Sequence, residues 1–380
     1  MIHRYMNDQL ATRIVFFITG LITATWAVIV PFAKVNTGID DAVLGFLLLS
    51  LGIGAIIAMP LAGPLSSRYG CRRLIIASFI IMLISAPFLS FISHVILLAV
   101  VLLIFGVGVG MTDCAMNIQA ILVEKKAGKA LMSGFHGMYS VGGIVGAGLM
   151  TGMLALGINV IPSTFIILML ITFLFISSFS HLLPYANPVE GPAFAIPKGT
   201  VLILGIICFV VFLVEGTVLD WSAVYLVDAK KIDDALGGLG FTVFAVAMTI
   251  GRLTGDFIIN RFGAFHVVIL GTMMALVGFY FVITGHALSV LLIGYFLIGG
   301  GCANIVPVMF NQIGRQQSMP QMVAVPAVTT LGYIGVLAGP AIVGFIAHLS
   351  SLPSAFVMIA TLLLVVLCLT FVLRKRINMS

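Results

Sequence analysis

Within the long apolar stretches of this chain, few side chains can titrate, hold a counter-charge or grip a polar solute. Asp113 and Asn117 stand four residues apart, which puts both on one face of a helix. A carboxylate there takes up and releases protons, binds substrate, or serves as a hydrogen-bond hub between helices. Counted at about 1.5 Å per residue, Asp113 falls near the midplane of its stretch. An ionised group at that depth costs about 2.5–3.5 kcal/mol on insertion scales, so it normally faces a cavity or a partner. Glu215 is the second such carboxylate, and it either lines a cavity or bonds a neighbouring helix. Asp113 and Glu215 are the candidates for a proton-titrating carboxylate inside the spans. Asp220 lies nearer the outer surface and about 140° around the helix from Glu215, so the two are expected to do different work. Beside Trp221, Asp220 reads as an outer gate or an interfacial anchor, because Trp favours that depth. Arg252 and Asp256 also share a face at four-residue spacing. They suggest an internal ion pair, and an inward-gate latch if one state keeps the pair and another breaks it. His136 could titrate near neutral pH, but its place near the end of a stretch fits packing or gating better than proton carriage.

The elements that must position these groups follow from composition. Of 380 residues, 61% are hydrophobic and 8% charged, with a mean hydropathy of +1.26. A soluble domain carries roughly 25% charged residues, so a water-exposed enzyme is excluded. Twelve apolar stretches are predicted at about 14–33, 43–64, 74–92, 95–120, 132–156, 160–182, 200–226, 236–258, 266–284, 288–312, 320–347 and 353–373, each near the length needed to span a bilayer. Helix is the expected state, because lipid offers backbone groups no partner outside their own segment or a closed barrel. A barrel would alternate in polarity, whereas Val95–Gly110 and Thr361–Leu373 are unbroken apolar runs.

The net charge of +6 is an orientation signal. With the amino terminus inside, Arg4, Arg13, Arg68, Arg72, Arg73, Lys125, Lys126, Lys129, Lys198, Arg261, Arg315, Arg374, Lys375 and Arg376 fall on cytoplasmic segments. Lys34, Lys230 and Lys231 fall outside, beside Asp40, Asp41, Asp228, Asp233 and Asp234. The positive-inside rule favours this topology, with both termini cytoplasmic, and argues against a nucleic-acid partner. The stretch 14–33 reads as a retained first helix, since no small-residue cleavage site leads into a soluble region. Cys71, Cys114, Cys208, Cys302 and Cys368 show no metal or disulfide spacing and read as small buried residues. No GxxxxGK[ST] loop occurs, and Gly106, Gly108 and Gly110 are packing glycines inside an apolar run. No nucleophile–base pair or metal-ligand set gathers at one depth, so no catalytic residue, enzyme activity, metal or cofactor is expected. The short segment Arg374–Ser380 after the last stretch gives no sign of a soluble signalling appendage.

A proline-bearing polar segment, 183–199, divides the stretches six and six, giving an N-terminal bundle over 1–182 and a C-terminal bundle over 200–380. A basic turn recurs after the second stretch of each half, Arg68-Tyr69-Gly70 and Arg261-Phe262-Gly263, which marks an internal repeat. Gly63-Pro64-Leu65-Ser66-Ser67-Arg68-Tyr69-Gly70-Cys71-Arg72-Arg73 resembles the signature loop of the major facilitator superfamily, with Ser67 where an aspartate is usual and Cys71 where an arginine is usual. The runs Asp113 to Ala120, Ser133-Gly134-Phe135-His136-Gly137, Glu215 to Ser222 and Gly251-Arg252-Leu253-Thr254-Gly255-Asp256, with Ala303-Asn304 and Gly332-Tyr333, are similar to the fucose-permease-like branch and its bacterial inner-membrane members.

The resemblance implies an all-α membrane protein of twelve helices in two pseudo-symmetric six-helix bundles, rocking about a central site. It implies Arg68 and Arg72 as inward-gate residues. It also gives Asp113 a counterpart in a permease glutamate, and with it proton coupling, although that permease's first-helix aspartate is replaced here by Thr23, Thr25 and Trp26. Trp26, Asn117 and Asn304 fall in helices that border the cavity of the resembled fold, with Tyr139 and Tyr333 as neighbours. An aromatic ring with amide donors and acceptors suits a sugar or a similar polar ring. The expected function is secondary transport of a small polar solute, with a sugar as the leading example, by proton-coupled uptake, in the bilayer of the bacterial inner membrane and as a monomer. The alternative is proton-coupled efflux of amphipathic compounds. Gly142, Gly143, Gly146 and Gly148 without a following proline argue against export, while nineteen methionines would suit an adaptable greasy pocket.

Overall fold

The computed structural model describes residues 2–39, 41–187, 196–233 and 236–377. Asp40, Asp234 and the linker prolines Pro188 and Pro192 lie outside the described residues. The α-helices are α1 (Ile2–Thr37), α2 (Asp41–Tyr69), α3 (Cys71–Leu89), α4 (Val95–Ala127), α5 (Met132–Ala155), α6 (Val160–Ser178), α7 (Gly199–Val224), α8 (Leu239–Phe262), α9 (Ala264–Thr284), α10 (Leu288–Cys302), α11 (Ile305–Ile313), α12 (Gln321–Leu349) and α13 (Leu352–Ile377). No strand occurs among the described residues. Among the described residues, twelve helical stretches are long and apolar enough to cross a bilayer, with α10 and α11 forming one of them, Leu288–Ile313. The protein is an all-α, multi-pass membrane protein. The tenth span departs from its expected single helix: it is interrupted at Ala303 and Asn304.

The chain forms two compact units. The first comprises Met1–Gly128, Met138–Ile196 and Pro320–Ala327. Lipid tails are as apolar as leucine, so these helices are held by close packing of small residues rather than by a hydrophobic drive. Between α2 and α4, a Cβ at Gly54 would lie 2.1 Å from the Leu103 carbonyl oxygen, and one at Gly106 2.0 Å from that of Leu51. Between α1 and α5, Gly20 and Gly142 make equally close backbone approaches to Tyr139 and Phe17. On α3 and α4, Thr112 Oγ1 donates to Ser78 Oγ at 2.8 Å.

The second unit comprises Lys129–Gly137, Pro197–Met319 and Val328–Ser380. Gly299 brings α10 onto α8 at Phe244, and Gly335 brings α12 onto α7 at Phe209. An aromatic core closes one end: Tyr225 stacks on Phe356 at 4.1 Å, and Phe279 meets Phe356 at 6.1 Å. There α7 widens into a π-helical turn, Tyr225–Ala229. Lys230 follows it, donating to the Ile283 carbonyl at 2.7 Å and lying 5.6 Å from the Tyr225 ring centroid. Burial holds this ammonium below its usual pKa.

The repeated basic turn has the same backbone in both units. Gly70, between α2 and α3, has φ 85° and ψ 155°, and Gly263, between α8 and α9, has φ 82° and ψ 153°. That region is open to glycine and essentially closed to residues with a Cβ. Cys71, Cys114, Cys208 and Cys302 are buried as expected, but Cys368 is exposed on α13. Its position in the last helix gives it an outward face rather than a packed one.

Candidate functional site

In the first unit, α4 carries the carboxylate–amide pair on one face. Asn117 Nδ2 donates to the Asp113 carbonyl at 2.9 Å and lies 3.5 Å from Asp113 Oδ1. Asn117 is 1% exposed, Asp113 is half-buried, and Asn117 Oδ1 is a buried acceptor with no protein donor. The local cause is the helix itself, which returns to one face every fourth residue. Elsewhere in this unit Thr23 Oγ1 of α1 lies 3.1 Å from Tyr139 Oη of α5, and Trp26 is buried on α1. The backbone approach at Gly20 sets Thr23 and Tyr139 face to face.

Arg68 and Arg72 of the signature loop are placed differently from each other. Arg68 lies over the Tyr69 ring at 5.3 Å. Arg72 binds the chain just after α6: its Nε donates to the Leu182 carbonyl at 2.8 Å, its Nη2 donates to that of Ser180, and its amide donates to that of Leu183 at 2.9 Å. Gln119 of α4 continues this anchor. Its Oε1 accepts from the Leu183 amide at 3.1 Å, and its Nε2 donates to Thr12 Oγ1 at 3.1 Å. Asp8 Oδ2, one turn from Thr12 on α1, pairs at 2.7 Å with Lys126 Nζ, two turns from Gln119 on α4. Neither Gln119 nor Asp8 is a site candidate by sequence.

In the second unit, Glu215 of α7 accepts through Oε1 from Arg252 Nη2 of α8 at 2.9 Å. Asp256, one turn along α8, accepts from the Gly134 amide at 2.9 Å through Oδ2. Asn260 Oδ1 accepts from the Ala130 amide at 3.2 Å. Asn304, in the break between α10 and α11, is committed on both sides of its amide. Its Oδ1 accepts from Ser133 Oγ at 2.7 Å, and its Nδ2 donates to the Gly251 carbonyl at 3.0 Å. The segment 129–137 is thereby fastened to α8 and the α10–α11 break, and the His136 ring lies 5.7 Å from that of Phe310. Asp220 is exposed near the end of α7, beside Trp221, which packs on Gly344. Tyr333 is half-buried on α12. Ser133 was missed as a partner; the run Gly299-Gly300-Gly301 before Asn304 was the available hint of a helix break.

Twelve apolar spans carrying a small set of interior carboxylates and amides, with the Arg252–Glu215 pair among them, are the build of a polytopic transporter. The chain belongs to the Major Facilitator Superfamily, which residues 13–316 match. It is 45% identical over 362 residues to an uncharacterised MFS-type transporter of Yersinia pestis, covering 95% of this chain and 94% of that one. It is 30% identical over 368 residues to the membrane protein MosC of Rhizobium meliloti, covering 93% and 87%. Among solved structures, the E. coli fucose:proton symporter FucP superposes with a TM-score of 0.80 at 16% identity, covering 97% of this chain and 99% of that one. That likeness establishes a common fold. Secondary transport of a small molecule across a lipid bilayer is the function class this membership supports, in a family whose members are generally not enzymes.

Proposed function

We propose that the chain is a proton-coupled uptake carrier for a small polar solute, a sugar or a compound of similar polarity, in the bacterial inner membrane. It acts as a monomer with both termini cytoplasmic. Its bundles, 1–182 and 200–380, are joined by the linker 183–199 and alternate access about a central site. The observation that carries this reading is the Asp113–Asn117 face. A half-buried carboxylate stands one helical turn from a buried amide whose oxygen no protein donor satisfies. A buried polar atom left unmatched costs about 1–3 kcal/mol, so a donor arriving with solute or water is favoured there. Trp26 and Tyr139, of the same unit as Asp113, supply the ring and hydroxyl surfaces of the same proposal.

The inward gate has its own support. Residues 129–137 belong to the first bundle by sequence and to the second unit by contact, and Pro320–Ala327 show the reverse. A rocking cycle has to withdraw such helix tips, breaking the bonds of Asp256, Asn260 and Asn304 and loosening Arg68. Asp220 serves the opposite side. The test is solute uptake into proteoliposomes with and without an imposed pH gradient. Accumulation should require the gradient. Asp113→Asn should abolish it by at least ten-fold while leaving counterflow exchange. Gradient-driven accumulation undiminished in Asp113→Asn would remove Asp113 from the coupling step.

A further inference from the structure

Arg252 is the interior charge that the proton step leaves without a task. Its residue is 8% exposed, and its guanidinium pairs with Glu215 at 2.9 Å. The two side chains are not equally enclosed: 9% of the arginine and 19% of the glutamate is exposed. Cys208 of α7 and Cys302 of α10 lie within electrostatic range of Glu215, and His136 of α5 and Cys302 lie within range of Arg252. Asp256 stands one turn along α8 and accepts from the Gly134 amide.

The pair is not needed to fill space. Apolar residues of similar volume are often as stabilising as a buried ion pair, because desolvation offsets the attraction. Ionisable residues inside spans mark solute paths by default. The backbone around Arg252 is clamped: a Cβ at Gly251 would meet Ala303 Cβ at 2.6 Å, and one at Gly255 would meet Asn304 Oδ1 at 1.9 Å. A Cβ at Gly137 would come within 3.3 Å of the Arg252 carbonyl carbon. The backbone under Arg252 is therefore held in place. Glu215, with about twice the fractional exposure, is the more accessible partner of the pair. A guanidinium fork matches any carboxylate, tethered or free. A solute carboxylate can replace Glu215 on the guanidinium if the displaced Glu215 takes up a proton, so that the site keeps one negative charge, whereas a neutral solute offers the guanidinium no such exchange.

We propose that Arg252 is the recognition point for a carboxylate on the transported solute and that Glu215 holds that point as a tethered substitute when no solute is bound. This rests on the transport reading and narrows its solute to a small polar acid, such as a sugar acid or a hydroxy acid.

The test is chemical rescue in the purified full chain. Glu215→Ala removes the substitute and opens space beside Arg252. Sodium acetate should raise the thermal midpoint of this variant in a saturable way at millimolar concentration, with a half-saturation at least ten-fold below any effect on wild type. Bound ligand stabilises by mass action. Acetamide at the same concentrations should not act, and the effect should vanish in Glu215→Ala/Arg252→Ala. If Glu215→Ala does not fold, Glu215→Gln keeps the volume and is titrated with the same two probes, with the same difference expected. Acetate no better than acetamide, or rescue that survives loss of Arg252, overturns the assignment. Neither result bears on gradient-driven uptake by wild-type proteoliposomes, whose failure would instead remove the transport reading.

Discussion

Methyl groups added along α5 separate helix packing from helix propensity within one element. A Cβ at Gly142 would lie 1.9 Å from the Phe17 carbonyl oxygen, and one at Gly146 2.3 Å from that of Leu21, whereas Gly148 and Gly152 have nothing within 4 Å. Real Cβ atoms essentially never approach a heavy atom closer than 3.0 Å. At Gly142, α1 and α5 must therefore part by about 1 Å. A gap of 0.5–1 Å already forfeits about a quarter to a half of each dispersion contact it opens, and overpacking of this kind costs about 1–3 kcal/mol. Alanine is the better helix former by about 1 kcal/mol, but that gain is common to all four positions and cancels between them. Gly142→Ala should be less stable than Gly148→Ala by about 1–3 kcal/mol. Thermal unfolding of the four single variants in one detergent gives the order directly. Gly148→Ala and Gly152→Ala should melt at or above wild type, with Gly142→Ala and Gly146→Ala below it. Gly20→Ala, whose Cβ would sit 2.0 Å from the Tyr139 carbonyl oxygen on the facing side, should combine with Gly142→Ala less than additively. Once the helices have parted, the second methyl meets room. Gly142→Ala melting at or above Gly148→Ala would refute the close approach of α1 and α5.

Three further outcomes follow from the same contacts. Ser133→Ala leaves Asn304 Oδ1 buried without its donor and should cost about 1–3 kcal/mol. Asn304→Ala should add little once Ser133 is gone, so a double-mutant cycle by thermal unfolding that shows strict additivity would remove their bond. Arg72→Ala should free the chain after α6, raising the rate of limited proteolysis within 183–199 several-fold. Arg72→Lys should recover only part of the protection, since an ammonium cannot reproduce the guanidinium's fork toward Ser180 and Leu182; an unchanged rate in both variants would count against the anchor. Arg252→Ala alone should destabilise more than the paired apolar change Glu215→Leu/Arg252→Met, because a single removal strands the other charge. A single variant more stable than the double would overturn that ranking.

What could be read from sequence follows from how local each feature is. The spans were legible because apolar length is a property of one segment, and the Asp113–Asn117 face because four residues of helix decide it. The turn at Gly70 and its repeat at Gly263 were legible as basic tripeptides, and the shared φ and ψ add the reason for the glycine. The Glu215–Arg252 bond joins residues 37 apart, and Ser133 meets Asn304 across 171 residues. These depend on how each helix is rotated about its own axis. Arg72 shows the same limit: its loop resembles a gate, but its partners are carbonyls of the chain just after α6.

The rotation itself is set by small residues, and sequence marks them only in part. Gly142 with Gly146 and Gly148 with Gly152 are two copies of one spacing on α5, glycine at four-residue separation. At about 100° per residue the two pairs point about 240° apart, so no more than one of them can face a given neighbour. Sequence supplies the two faces; contact with Phe17 and Leu21 of α1 selects the first. That choice carries Tyr139, one turn before Gly143, to Thr23. The polar pairs of the candidate site are thus downstream of glycine placement: a helix turned to the other glycine face would keep every span and every charge in the sequence and lose the Thr23–Tyr139 bond.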